Sequence, residues 1–272
     1  MRVLSLTFLF SGCTAVLAEC PVLHPMPDIH VCEGGSALLS PVIEGSFSKM
    51  EWAGGKGTVS ETEPGIFEYV PGETESEGEI RLTLTASPEK GCPVQTQSVL
   101  LTMDKMPELE VTDLRRCQGK PVIMEPTIKS KYDSLVWSTS GTGSFERPAF
   151  PQSAYSPSDA DVKSDGVLLT AKLYNGICPA AEGTARLLID ELPNAKISAT
   201  RRRDLYELTV VSDKAEKVKW SHYGSGRLRS DSEMSVIYEL SEKEDQVRVE
   251  VTVWSIFGCE KTIETTIARK NP

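Results

Sequence analysis

The sequence predicts an all-β chain of three tandem β-sandwich modules, and three observations carry the prediction. The first is a repeat. Trp52, Trp137 and Trp220 stand 85 and 83 residues apart, and a glycine pair follows each: Gly55 and Gly57, Gly141 and Gly143, Gly224 and Gly226. A tyrosine comes next at +17, +18 and +18 (Tyr69, Tyr155, Tyr238), then a cysteine at +40, +41 and +39 (Cys92, Cys178, Cys259). Landmarks that recur at a fixed period mean one structural unit per copy. The second observation is a period of two in the apolar residues, which marks half-buried strands. The third is turn punctuation by Gly, Pro and Ser every 8–12 residues with no helical periodicity of useful length, which fits about seven short strands per copy.

Reading from the start, Met1-Arg2 and the apolar run Val3–Leu17, closed by Val16-Leu17-Ala18, form a signal peptide over residues 1–18, cleaved before Glu19. A competing reading is a bacterial lipobox, Leu9-Phe10-Ser11-Gly12-Cys13, with Cys13 as the lipidation site and Phe10 where Leu is usual. Either reading takes the chain out of the cytosol. The modules then span residues 19–105, 106–192 and a divergent 193–272. The 272 residues carry a net charge of −10, which argues against a binder of nucleic-acid phosphates. No apolar run of about 20 residues occurs after the start.

Within the copies, Ile80, Leu82 and Leu84 alternate with polar residues, as do Val247, Val249, Val251 and Val253; Val167, Leu169, Ala171 and Leu173 keep the same phase. Each run is followed by a turn and a second alternating strand: Val99-Leu101-Met103, Ala185-Leu187-Ile189 and Ile263-Thr265-Ile267. Trp52, Trp137 and Trp220 sit mid-strand and are expected to fill the space between sheets. The junctions Met103–Pro107 and Ile189–Pro193 contain no Gly/Ser tether, so a stiff connection is expected.

The stretch Trp137–Phe145, Tyr155–Asp161, Val167–Ala171 and Gly176-Ile-Cys178, with Cys32-Glu-Gly34 and Cys117-Gln-Gly119 opening their copies, resembles the immunoglobulin-like or PKD-like repeats of Bacteroidetes surface proteins. The resemblance covers residues 27–190 well and 195–272 loosely, since the third copy has Thr200 where an opening cysteine would stand. It implies extracellular sandwiches that stack, adhere or space without catalysis or cofactor. It also implies, for some members, export by a type IX route with a C-terminal β domain as the sorting signal. Partners would be proteins or a surface, with outer-membrane association through a partner or a lipid anchor. The address is the cell surface, the extracellular space or the periplasm.

Cleavage at Ala18 leaves six cysteines, an even count that reads as disulfides in an oxidising compartment. In a sandwich the first and last turns lie at opposite ends, about 20 Å apart, whereas a disulfide needs Cα atoms within about 7 Å. Pairing between successive copies is therefore expected, Cys32–Cys178 and Cys117–Cys259, with Cys20 left for Cys92. The alternative, Cys32–Cys92 with Cys117–Cys178, strands Cys20 and Cys259.

Other candidates each have a plain rival. Cys20, His24, His30 and Cys32 hold atoms that ligate zinc, against disulfides plus surface histidines. Asp159, Asp161 and Asp165 suggest a calcium loop, against a solvated turn; Glu73, Glu75, Glu77 and Glu242, Glu244, Asp245 occupy the same place in the other copies. Arg115-Arg116 and Arg201-Arg202-Arg203 are basic spots that dock a partner or pair with neighbouring acids. No nucleophile elbow, metalloprotease or phosphate-loop pattern is present, so no catalytic residue is named.

Overall fold

The computed structural model describes residues 20–88, 91–203, 205–231 and 233–269; the expected signal peptide over 1–18 and the candidate lipidation site Cys13 lie outside them. The chain packs as two compact units. The first takes residues up to Glu108 with Lys129–Ser134 and Leu173–Ala181; the second takes Leu109–Ile128, Leu135–Lys172 and the rest. Nearly every regular element is a strand, and each repeat folds as two facing sheets.

In the first unit, the first copy forms β1 (Ile29–Cys32), β2 (Ala37–Leu39), β3 (Phe47–Ala53), β4 (Thr58–Glu63), β5 (Ile66–Val70), β6 (Gly78–Pro88) and β7 (Gln95–Asp104). One sheet runs β1-β7-β6-β3 and the other β2-β5-β4. The opening strand β1 lies parallel to β7, with Cys32 opposite Asp104. Leu39, Tyr69, Leu82 and Leu101 are fully buried between the sheets.

The second copy repeats the plan with β8 (Leu114–Cys117), β9 (Val122–Met124), β10 (Ser134–Thr139), β11 (Ser144–Phe145), β12 (Ser153–Ser156), β13 (Val167–Tyr174) and β14 (Ala181–Asp190). Its sheets are β8-β14-β13-β10 and β9-β12-β11. Strand β8 runs parallel to β14, and Cys117 stands opposite Asp190. A four-residue helix, α1 (Asp159–Val162), opens on a Ser158 cap between β12 and β13.

The third copy has β15 (Ala195–Arg202), β16 (Leu205–Ser212), β17 (Lys217–His222), β18 (Arg227–Arg229), β19 (Ser235–Glu239), β20 (Gln246–Trp254) and β21 (Glu260–Ala268). Its sheets are β15-β16-β19-β18 and β17-β20-β21. The predicted alternation of β20 is realised: Val247, Val249, Val251 and Val253 are buried beside Trp220 and Tyr238.

The copies differ in their opening strand. β15 pairs antiparallel with β16 over its full length, from Ala195 opposite Ser212 to Arg202 opposite Leu205. In the other copies the corresponding strand crosses to the last strand and ends in a bonded cysteine. Thr200 supplies no such cysteine, and β15 stays with β16. Among the described residues β21 is an edge strand.

The tryptophans also differ. Trp137 and Trp220 are 3% and 2% exposed, while Trp52 is only partly buried against its core. In the second copy an irregular loop crosses the ring, and the indole N–H donates to the carbonyls of Phe150 and Pro151, each at 3.1 Å. In the third, Trp220 donates to Glu233 at 2.8 Å. In the first copy the hydrogen-bonded β4–β5 hairpin occupies that stretch of sequence, and Trp52 Nε1 is buried without a partner.

Candidate functional site

Two constructions recur through the copies: a carboxylate that ties loops to the core tyrosine, buried in the second copy and half-buried in the other two, and a sulfur bond at the sheet end. The tyrosine after each tryptophan is fully buried, and its hydroxyl faces a carboxylate six residues further on. Tyr69 donates to Glu75 at 2.6 Å, Tyr155 to Asp161 at 2.8 Å and Tyr238 to Glu244 at 3.3 Å. Main-chain N–H groups fill the other lone pairs. Asp161 accepts from Thr142 and Gly143 at 2.8 Å and from Ser158 at 2.9 Å. Glu75 accepts from Lys56 and Gly72, and Glu244 from Ser225 and Ser241.

The second glycine of each pair permits this approach. A Cβ on Gly57, Gly143 or Gly226 would collide with the main-chain oxygen of Val70, Ser156 or Glu239 respectively. Burial pushes the Asp161 carboxyl up, but the donors from Ser158, Thr142, Gly143 and Tyr155 overcome it and hold the group below the usual range. Glu75 and Glu244 are held low in the same way, burial opposing and donors prevailing. Tyr238 is pushed up to about 12, first by burial and then by the Glu244 charge.

This corrects the reading of the loop as a calcium site or a solvated turn. Asp161 is 3% exposed, and both its oxygens receive protein donors, so it offers a cation nothing. Asp159 and Asp165 are exposed and stand apart from that arrangement. Among the described residues no three His, Cys, Asp or Glu side chains are grouped to hold a metal. The constant spacing of six between tyrosine and acid was present in the sequence as a further landmark, and it marks the loop-tying carboxylate in each copy.

The sulfur bonds are Cys20–Cys92, Cys32–Cys178 and Cys117–Cys259, which is the staggered arrangement and not the within-copy one. With Cys20 and Cys32 both consumed, the zinc reading falls. His24 instead faces Glu44 at 3.1 Å and His30 faces Asp104 at 3.4 Å.

Polar contacts accompany each staggered bond. In the first unit, Asn175 donates to the Lys105 carbonyl at 2.7 Å beside Cys178. In the second, Arg115 makes a two-pronged pair with Asp190 at 2.7 and 2.9 Å. Its guanidinium lies 3.5 Å from the centre of the Phe257 ring, two residues from Cys259. Arg115 is thus an internal clamp and not a free docking spot. Arg201, Arg202 and Arg203 are exposed at the β15–β16 turn, where Arg202 faces Glu207 at 3.9 Å. His222 packs edge-on against Tyr238 at 5.1 Å, a core contact.

Neither a protein-family profile nor a curated protein sequence matches the chain. Among solved structures, the I-band fragment I67–I69 of titin is similar, with a TM-score of 0.50 and 13% identity over 94% of this chain and 100% of that one. A three-domain E-to-A variant of titin I67–I69 gives the same score and coverage at 14% identity. At this identity the likeness shows the fold: the chain is a set of tandem immunoglobulin-like β-sandwiches.

Proposed function

We propose that the chain is an exported, non-catalytic protein of the cell envelope or surface, whose immunoglobulin-like copies serve as a fixed spacer and as modules for binding protein. The observation that carries this is the staggered sulfur bonding. Cys32–Cys178 and Cys117–Cys259 each tie one copy to the next, using separations of 146 and 142 residues. Such bonds persist in an oxidising compartment. Arg115, Asp190 and Phe257 add a second, noncovalent fastening at the later junction. The tyrosine-bound acid of each copy is taken up by loop donors, and His222 packs against a tyrosine, which gives these groups structural work.

The test is the mass and thiol count of the protein collected from outside the cytosol. Six oxidised cysteines, no alkylation without reductant and linked Cys32–Cys178 and Cys117–Cys259 peptides are expected. Mostly reduced thiols in exported material overturn the reading.

A second reading is favoured by the divergent third copy, with its own strand plan and no opening cysteine. In it, residues 193–272 act as the sorting or docking signal of a type IX-like route, in keeping with the Bacteroidetes resemblance. Fusing residues 195–272 to a periplasmic reporter separates the two, since surface delivery supports the second reading and periplasmic retention the first.

A further inference from the structure

We propose that the cleft beside the β20–β21 turn of the third copy binds a segment of a protein partner that presents a lysine or arginine next to an apolar side chain. The proposal rests on the protein-binding reading above and locates it. The turn is rigid. Ser255 N–H donates to the Cys259 carbonyl and Gly258 N–H to the Ser255 carbonyl, both at 2.9 Å. The Cys259 N–H reaches Ser255 Oγ at 3.2 Å, and the Cys117–Cys259 bond anchors the base. Gly258, at φ 77°, takes the left-handed conformation that lets the turn close.

At the tip of this fixed turn stand Ile256, 74% exposed, and Phe257, 55% exposed. Arg115 covers one face of Phe257, and Ile256 with the rest of that ring is left in water, at a cost in free energy that burial against a partner recovers. Because the turn is already ordered, binding loses little further conformational entropy.

The cleft next to these residues has a volume of about 370 Å³ and is walled by Asp190, Glu191, Asp213 and Glu216. Two cations face the four carboxylates, and both are committed: Arg115 to Asp190, and Lys214 to Glu191 with Asp213 also in reach of its charge. The residual sign is negative, beside an apolar tip, which selects a basic and apolar ligand over an acidic one. The matching tip of the second copy, Ile177, is also exposed at 61%, but the stretch there that corresponds to 213–216 reads Ser130-Lys131-Tyr132-Asp133, with one acid in place of two, and Lys105 stands where the later junction has Glu191. The acidic wall is thus built from the end of the second copy and the start of the third.

The test is an NMR titration of the oxidised, ¹⁵N-labelled mature chain with acetyl-Arg-Leu-Arg amide and, separately, acetyl-Glu-Leu-Glu amide. The basic peptide is expected to shift amides of 213–216 and 255–257 together, and the acidic peptide to leave them in place. Ile256→Ser and Glu216→Gln, each at an exposed position, should weaken binding at least about fivefold without changing the thermal midpoint. Leu38→Ser, at an exposed apolar position of the first copy, should leave binding unchanged. Scattered shifts, equal binding of the acidic peptide, or unaltered affinity in both cleft variants overturns the site. Those outcomes leave the exported, disulfide-linked reading standing, because the thiol count tests it separately.

Discussion

Tyr155 donates its hydroxyl to Asp161 at 2.8 Å, and that one carboxylate also gathers the amides of Thr142, Gly143 and Ser158. Asp161→Ala leaves several buried donors unsatisfied, so the second copy should lose about 2–4 kcal/mol in urea denaturation. Asp159→Ala and Asp165→Ala should change stability by about 0.5 kcal/mol or less. Calcium should leave the wild-type midpoint where it was.

The three depressed carboxyls set the response to acid. A carboxyl whose folded pKa lies below its unfolded value, about 4, stabilises the fold above that value. The contribution is lost as pH falls through the folded pKa. Stability should therefore be level from neutral pH to about 5 and decline below about 4, and Glu75→Gln should lessen the decline. Tyr238 acts in the other direction, since its raised pKa gives stability that is complete below about 10 and lost towards about 12. Unfolding free energies across pH measure both limbs.

The tryptophan environments separate two effects of one substitution. Trp220→Phe loses its bond to the Glu233 carbonyl along with ring volume, and a cost of about 2–3 kcal/mol is expected. Trp52→Phe removes a buried donor that has no partner, so the loss should be about 1 kcal/mol or less. Chemical denaturation of the two variants should place them in that order.

Replacing both Cys117 and Cys259 by serine should cost about 2–5 kcal/mol and lower the cooperativity of the third copy's unfolding. Arg115→Lys should weaken the same junction by less, because a lysine keeps the charge but not the two-pronged pairing or the flat stacking on Phe257. Thermal melts of oxidised protein rank the two.

Much of this architecture is legible from the chain because strand alternation and spacing report it directly. Val247 to Val253 point inward as their period demands, and the staggered bonds follow once the first and last turns are placed at opposite ends. The role of Asp161 is not legible, because acids near a turn are ordinarily solvated; only the folded loop aims Thr142 and Gly143 at it. The path of β15 is hidden too. Its alternation suits either sheet, and only the folded chain shows it pairing with β16 along its whole length instead of with the last strand. Exposure of Ile256 likewise depends on the tight Ser255–Cys259 turn, a tertiary result that apolar composition does not announce.

The overlapping bonds also fix how far the polypeptide can be drawn out. Cys20 is joined to Cys92 and Cys117 to Cys259, so a taut path from Cys20 to Cys259 follows only the 25 Cα-to-Cα steps from Cys92 to Cys117. At about 3.5 Å per residue that is about 90 Å of contour, even with every sandwich melted. The unbridged backbone between the same two cysteines would reach about 800 Å. Under a pulling load the oxidised molecule is a short leash, and only a reductant lengthens it.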